Sequence, residues 1–139
     1  MAVAMKTFRV GTRGFSDVVD ITAEVSEAVT GSGLGSGIAL AFVAGSTASI
    51  TTIEFERGSV NDLRRALERL APEEADYEHN RKWHDGNGFS HVRAAVTGAG
   101  FSVPFQDGRL LLGTWQQIIL IDHDNRARTR EVIVQMVGG

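Results

Sequence analysis

The chain has 139 residues, 42% of them hydrophobic and 22% charged, with a formal net charge of −3. These are the proportions of one globular domain spanning residues 1–139, and the slight acidity gives no electrostatic ground for a nucleic-acid partner. The absence of cysteine rules out disulfides, thiolate zinc sites and cysteine nucleophiles. No apolar run nears the roughly 20 residues of a membrane helix. The opening Met1-Ala-Val-Ala-Met-Lys-Thr7 is too short and polar for a signal peptide. A soluble, cytoplasmic protein without a membrane partner is therefore expected.

Lys6 to Thr12 reads as a first strand. Asp20 offers a side-chain oxygen to cap a helix starting near Ile21. Ile21, Val25, Ala28 and Val29 form its apolar face, and Gly31-Ser-Gly33 marks its end. Ile38 to Val43 is a continuous apolar run, predicted as a central strand buried on both faces. Ser49 to Phe55 alternates, with Ile50, Thr52 and Glu54 on one face. Ser59, with Asp62 three residues on, predicts the start of a second helix. Leu63, Ala66, Leu67 and Leu70 form its stripe, and Pro72 closes it. Residues 73 to 90 show no period, and so long an irregular stretch inside a compact domain is usually functional. The β pattern then returns. Gln106-Asp107-Gly108 predicts a hairpin turn between 102–105 and 109–112. Trp115 to Ile121 and Glu131 to Val137 read as a second strand pair joined by His123-Asp-Asn-Arg126, which puts His123 in an exposed turn. The sum is an α+β fold: a mostly antiparallel β-sheet or sandwich with two helices packed against it.

Three of the four histidines, His79, His84 and His91, fall within thirteen residues around a Gly-rich turn holding Asp85 and Asn87. Imidazole binds transition metals and titrates near neutral pH. Spacings of five and seven residues are not the i, i+4 pairing of a helical zinc site, so convergence is permitted but not enforced. A metal or anion site and a set of loop-stabilising hydrogen bonds both remain open. Asp85 and Glu54 are the candidate carboxylates for moving a proton or fixing a histidine tautomer. Gly45-Ser46-Thr47 follows a buried strand and offers amides and two hydroxyls to a phosphate, or is simply a tight connection. Arg93 suits a bidentate phosphate contact, and Lys82 adds charge. Trp115 suits stacking on a flat heterocycle and Gln116 suits reading its edge. Core or interface packing explains the same pair.

Asp20-Ile-Thr22, Gly45-Ser-Thr-Ala-Ser49, His79, Gly86-Asn87, Ser90-His-Val-Arg-Ala94, Val103-Pro104, Gly108-Arg-Leu110 and Leu112-Gly-Thr-Trp-Gln116 resemble, in this order, the YjbQ family, described as secondary thiamine-phosphate synthase, and its archaeal branch most of all. The resemblance implies a homotrimer with a polar pocket. It also implies condensation of a hydroxymethylpyrimidine diphosphate with a thiazole phosphate, with loss of pyrophosphate. It favours functional roles for Asn87 and His91. Many relatives carry histidine where this chain has Gly45, so that residue's role does not transfer. Phe89 stands where a small or polar residue is expected.

Combined, these readings set His79, His84 and His91 as metal ligands for a divalent ion, zinc or magnesium, with no organic cofactor. Glu54, Asp85 and His91 are the catalytic candidates. Ser46, Thr47, Asn87, Arg93 and Gln116 are the contacts to a small phosphorylated metabolite. The alternative is a non-catalytic homotrimer that binds a metal or phosphometabolite with the same residues.

Overall fold

The computed structural model describes all 139 residues. In chain order the elements are β1 (Ala2–Thr12), β2 (Asp17–Asp20), α1 (Thr22–Gly31), β3 (Gly37–Val43), β4 (Ala48–Ile53), α2 (Arg57–Leu70), α3 (Glu78–Trp83), α4 (Gly88–Thr97), β5 (Gly100–Gln106), β6 (Arg109–Leu110), β7 (Gln117–Asp122) and β8 (Arg128–Gly138). The strands form two sheets, ordered β1-β8-β3-β5-β6 and β2-β7-β4. Every neighbouring pair is antiparallel. The α+β reading holds, with four helices rather than two. No helix is long and apolar enough to cross a membrane.

The main core lies between the sheets and under α1. Val25 and Val29 of α1 meet Ala39, Ala41 and Val43 of β3, Ile50 of β4, Ile118 and Leu120 of β7, and Val132, Val134 and Met136 of β8. The opposite face of β7 carries Ile119 and Ile121 into a smaller cluster with Val18 and with Val60 of α2. Thus β7, not β3, is the strand buried on both faces. The Ile38–Val43 run was expected to be that strand, but Ile38 and Phe42 are exposed while Ala39, Ala41 and Val43 face the core. The small alanines on the inner face leave room for α1, and the large residues point outward.

The helix ends differ from expectation in detail. Asp20 does supply the first-turn acceptor for α1, through Oδ1 to the Thr22 amide at 2.9 Å. The start of α2 is capped not by Ser59 but by Glu56, whose carboxylate accepts from the Gly58 and Ser59 amides at 2.8 and 2.5 Å. That helix ends at Leu70, two residues before Pro72. The Asp107-Gly108 turn forms as predicted, with φ of 53° and 71°, the left-handed pair that a two-residue hairpin needs.

The expected pairing of the last two strands does not occur. β7 pairs with β2 and β4, and β8 pairs with β1 and β3. Residues 123–127 therefore cross from one sheet to the other instead of turning a hairpin. That crossing carries His123 and Asp124 into the interior, where both are fully buried. Trp115 precedes β7 and is exposed.

Candidate functional site

The segment without a period contains α3 and the start of α4, which runs on to Thr97 where a return of β pattern was expected. Nothing in α3 is buried. The inner face of α4 carries Phe89, Ser90, Arg93 and Ala94, so two of its buried residues are polar. His84 closes α3 with φ 58°, its amide donating to the Asn80 carbonyl at 2.8 Å. The chain then turns sharply into α4. Gly88 makes that approach possible, since a Cβ there would stand 2.5 Å from the Tyr77 Cβ. Its amide donates to Asn80 Oδ1 at 2.8 Å.

This turn sets two of the three histidines side by side. The His79 and His91 rings have centroids 4.3 Å apart, tilted by 49°. His79 Nε2 lies 3.0 Å from Asn87 Oδ1 and 3.2 Å from Asp85 Oδ1. Both partners only accept, so Nε2 carries the proton and donates. Asn87 Nδ2 in turn donates to Asp124 Oδ1 at 3.2 Å. The resulting chain runs from a buried carboxylate through an amide to an imidazole, and it fixes the His79 ring and tautomer. His91 is half-buried beside it. Its pKa lies below the ordinary histidine value, first because burial disfavours the charged form and then because of neighbouring His79. Neutral imidazole is thus its form at pH 7.

Asp124 is the hub. Oδ2 accepts from Thr47 Oγ1 at 3.1 Å and from Arg128 Nε and Nη2 at 3.1 and 2.7 Å. Oδ1 accepts from the Asn125 amide at 2.8 Å as well as from Asn87. Burial opposes ionisation, but the bonds from Asn125, Asn87, Arg128 and Thr47 outweigh it and bring the pKa to about 2. Beside it Asp122 accepts both arms of Arg130, Nε and Nη2, each at 2.8 Å. Thr12 Oγ1 adds a bond at 2.5 Å. Burial raises the Asp122 pKa, yet these donors leave it below the usual carboxylate range.

A second buried strand of polar groups runs behind the hub. His123 Nδ1 and Nε2 lie 3.0 Å from Ser16 Oγ and from Ser49 Oγ. Far from being exposed in a turn, His123 is inaccessible to solvent. Burial and then the Arg93 charge lower its pKa to about 4.

The other residues singled out from sequence divide clearly. Thr47 is spent on the hub, donating to Asp124 and accepting from Arg130 Nη2 at 2.6 Å. Ser46 is exposed at the same corner. Arg93 is buried and engaged three ways, with Glu68 at 2.6 Å, the Ala71 carbonyl at 3.0 Å and Ser16 Oγ at 3.1 Å. It also covers the ring of Phe89, which is core packing rather than a wall of the site. Glu54 lies just past the far end of β4, roughly 20 Å along the strand direction from Thr47 at about 3.3 Å per residue. Gln116 is at that far end too, bonded to Thr52 Oγ1 at 3.2 Å and to the Gly113 amide at 3.0 Å. His84 is exposed, as is Lys82, which rests on Trp83. No three His, Cys, Asp or Glu side chains stand close enough together to hold a metal ion. The three-histidine ligand set is therefore not assembled, because the α3 cap conformation carries His84 away on its own.

Sequence reasoning missed Asp122, Asp124 and Arg130. The available signal was strand parity. Arg130 shares the inward face of β8 with Val132, Val134 and Met136, and a charge on that face requires a buried partner.

The family model described as UPF0047 protein YjbQ-like matches residues 6–139. A UPF0047 protein of Archaeoglobus fulgidus is 34% identical over 86% of this chain and 90% of its own length. The UPF0047 protein YugU of Bacillus subtilis is 33% identical over 96% and 99%. Among solved structures, a YbjQ-like protein of unknown function from Sulfolobus solfataricus superposes with a TM-score of 0.94 at 34% identity, covering 99% of both chains. A hypothetical protein of Aeropyrum pernix reaches 0.90 at 28% identity, covering 98% of this chain and 99% of its own.

Proposed function

This chain belongs to the UPF0047 YjbQ-like family, and on that footing we propose that it is an enzyme acting on a small phosphorylated metabolite, with His91 as the proton-transferring base. The reaction to test first is condensation of a hydroxymethylpyrimidine diphosphate with a thiazole phosphate. One observation carries the reading: two imidazoles in contact, one locked by the Asn87 amide and the Asp85 carboxylate, the other neutral and facing solvent. A locked histidine beside a free one is an arrangement suited to general acid–base work. His79 and Asp85 are positioning residues here, and Asn87 ties them to the hub. A zinc ion fits poorly, since zinc sites draw on three or four protein ligands and His79 Nε2 is already engaged. No step is routed through a metal.

The test is pyrophosphate release by the purified protein from the two precursors, with His91→Ala alongside. A rate that disappears with His91 supports the reading. Absence of any turnover refutes it. The second reading, a binding protein without turnover, draws on the openness of the site: Asp85 and Gly86 are exposed and the histidine pair lies at the surface. Self-assembly, expected as a homotrimer, belongs to the same proposal. Val3, Val137 and Ile38 align across β1, β8 and β3 on the outer face, with Met5 and Phe42 beside them, all exposed. Apolar rows of this extent are normally covered by another protein surface.

A further inference from the structure

Arg130 is nine-tenths buried, yet its guanidinium is only partly used. Nε and Nη2 bind Asp122 and Thr47. Nη1 makes no hydrogen bond within the protein, and no buried side-chain polar atom lacks a partner. Nη1 therefore reaches solvent. It does so at Gly45, where a Cβ would stand 3.1 Å from it. The same corner is short of acceptors: the amides of Gly45, Ser46 and Thr47 donate to no carbonyl of the protein. Gly45 and Ser46 are exposed.

Resting on the phosphorylated-metabolite reading above, we propose that Arg130 Nη1 and the Gly45–Ser46 turn form the seat of a tetrahedral oxyanion, the phosphoryl group of the substrate, with Gly45 as the residue that keeps the seat open. A guanidinium pinned on two of its three nitrogens loses little freedom when the third binds an anion. Backbone amides that face outward at a turn complete such a cradle. Arg93, the cation suggested by sequence, cannot serve, because all three of its nitrogens are committed inside the protein. The seat is linked to the histidines through Thr47, Asp124 and Asn87. The four charges beneath it, Asp122, Asp124, Arg128 and Arg130, cancel formally. Selectivity therefore comes from donor geometry rather than from a general positive field.

The experiment is titration of the full chain with inorganic phosphate and with pyrophosphate, read by calorimetry and by the side-chain nitrogen resonances of arginine. Saturable binding is expected, with the Arg130 resonance moving most. Gly45→Ala, whose Cβ would stand 3.1 Å from Nη1 and crowd it, weakens binding at least about tenfold, the loss of one charge-assisted hydrogen bond. Equal affinity in Gly45→Ala, an unmoved Arg130 resonance, or no saturable binding each overturns the proposal. The resonance arm needs no variant and so stands even if Gly45→Ala does not fold. Phosphate bound at Arg130 without any turnover would overturn the catalytic reading and leave the seat standing, whereas turnover that survives Gly45→Ala unchanged would do the reverse.

Discussion

Acidification should weaken the fold well before any carboxylate is protonated, and His123 is the cause. The ring is inaccessible, sits between Ser16 and Ser49, and feels Arg93 and Arg130 against the single opposing charge of Asp122. Its pKa falls from 6.5 to about 4. The unfolded chain therefore takes up a proton below pH 6.5 that the folded chain refuses until about pH 4. Above 6.5 both states are neutral and His123 contributes no slope. Between the two values stability falls with pH by roughly 1.4 kcal/mol per pH unit, about 3 kcal/mol in all. Asp124 acts in a separate window. Its stabilisation is complete above the unfolded value of 3.8 and is lost as pH falls through about 2. Urea unfolding at a series of pH values between 7.5 and about 4.5 measures the slope, and His123→Gln removes the titrating group. The parent should lose stability steeply across that range while the variant, starting lower, stays nearly flat. Parallel curves for the two proteins would refute the reasoning.

His91→Ala should lower kcat at least about a hundredfold while moving the urea midpoint little. In the parent, the acid limb of the kcat/KM profile should fall below pH 6.5, because the folded pKa is depressed from that value and the basic form persists to lower pH. Asp124→Ala strands Arg128 and empties the hub, at a cost of about 3–5 kcal/mol, visible as a large drop in the urea midpoint. Gly88→Ala drives a Cβ into Tyr77 and should cost about 1–3 kcal/mol; an unchanged melting temperature would mean that α3 and α4 are not held as described. Ile38→Asp places a charge in the outer apolar row, and light scattering should then give the 15.0 kDa monomer mass where the parent gives a multiple.

The parts of the fold that were legible in sequence are those written by short-range chemistry. The α1 stripe, the Asp107-Gly108 turn and the antiparallel character all follow from periodicity and turn residues, whereas α2 buries Val60 and Leu67 and leaves Ala66 and Leu70 of its expected stripe exposed. The pairing of β7 and β8 did not, because Asp124-Asn125 reads as a turn whether the chain returns to its neighbour or crosses to another sheet. That single ambiguity hid His123, Asp124 and the role of Arg130. α3 and α4 were hidden for another reason: one buries nothing, and the other buries Ser90 and Arg93, which mask its period. Within the site, the meeting of His79, His91, Asp85 and Asn87 was anticipated as one possibility of the loop. Glu54 and Gln116 could be separated from it only by knowing which end of β4 the loop covers.

Asp124 takes its donors from Thr47, Asn87 and Arg128, on three segments that meet only in the finished chain. A nascent polypeptide emerging from the ribosome carries both histidines long before the anchor that aligns them exists. Proteolytic or truncated products lacking the C-terminal strand lose the Arg128 donors to Asp124 even where their helices form.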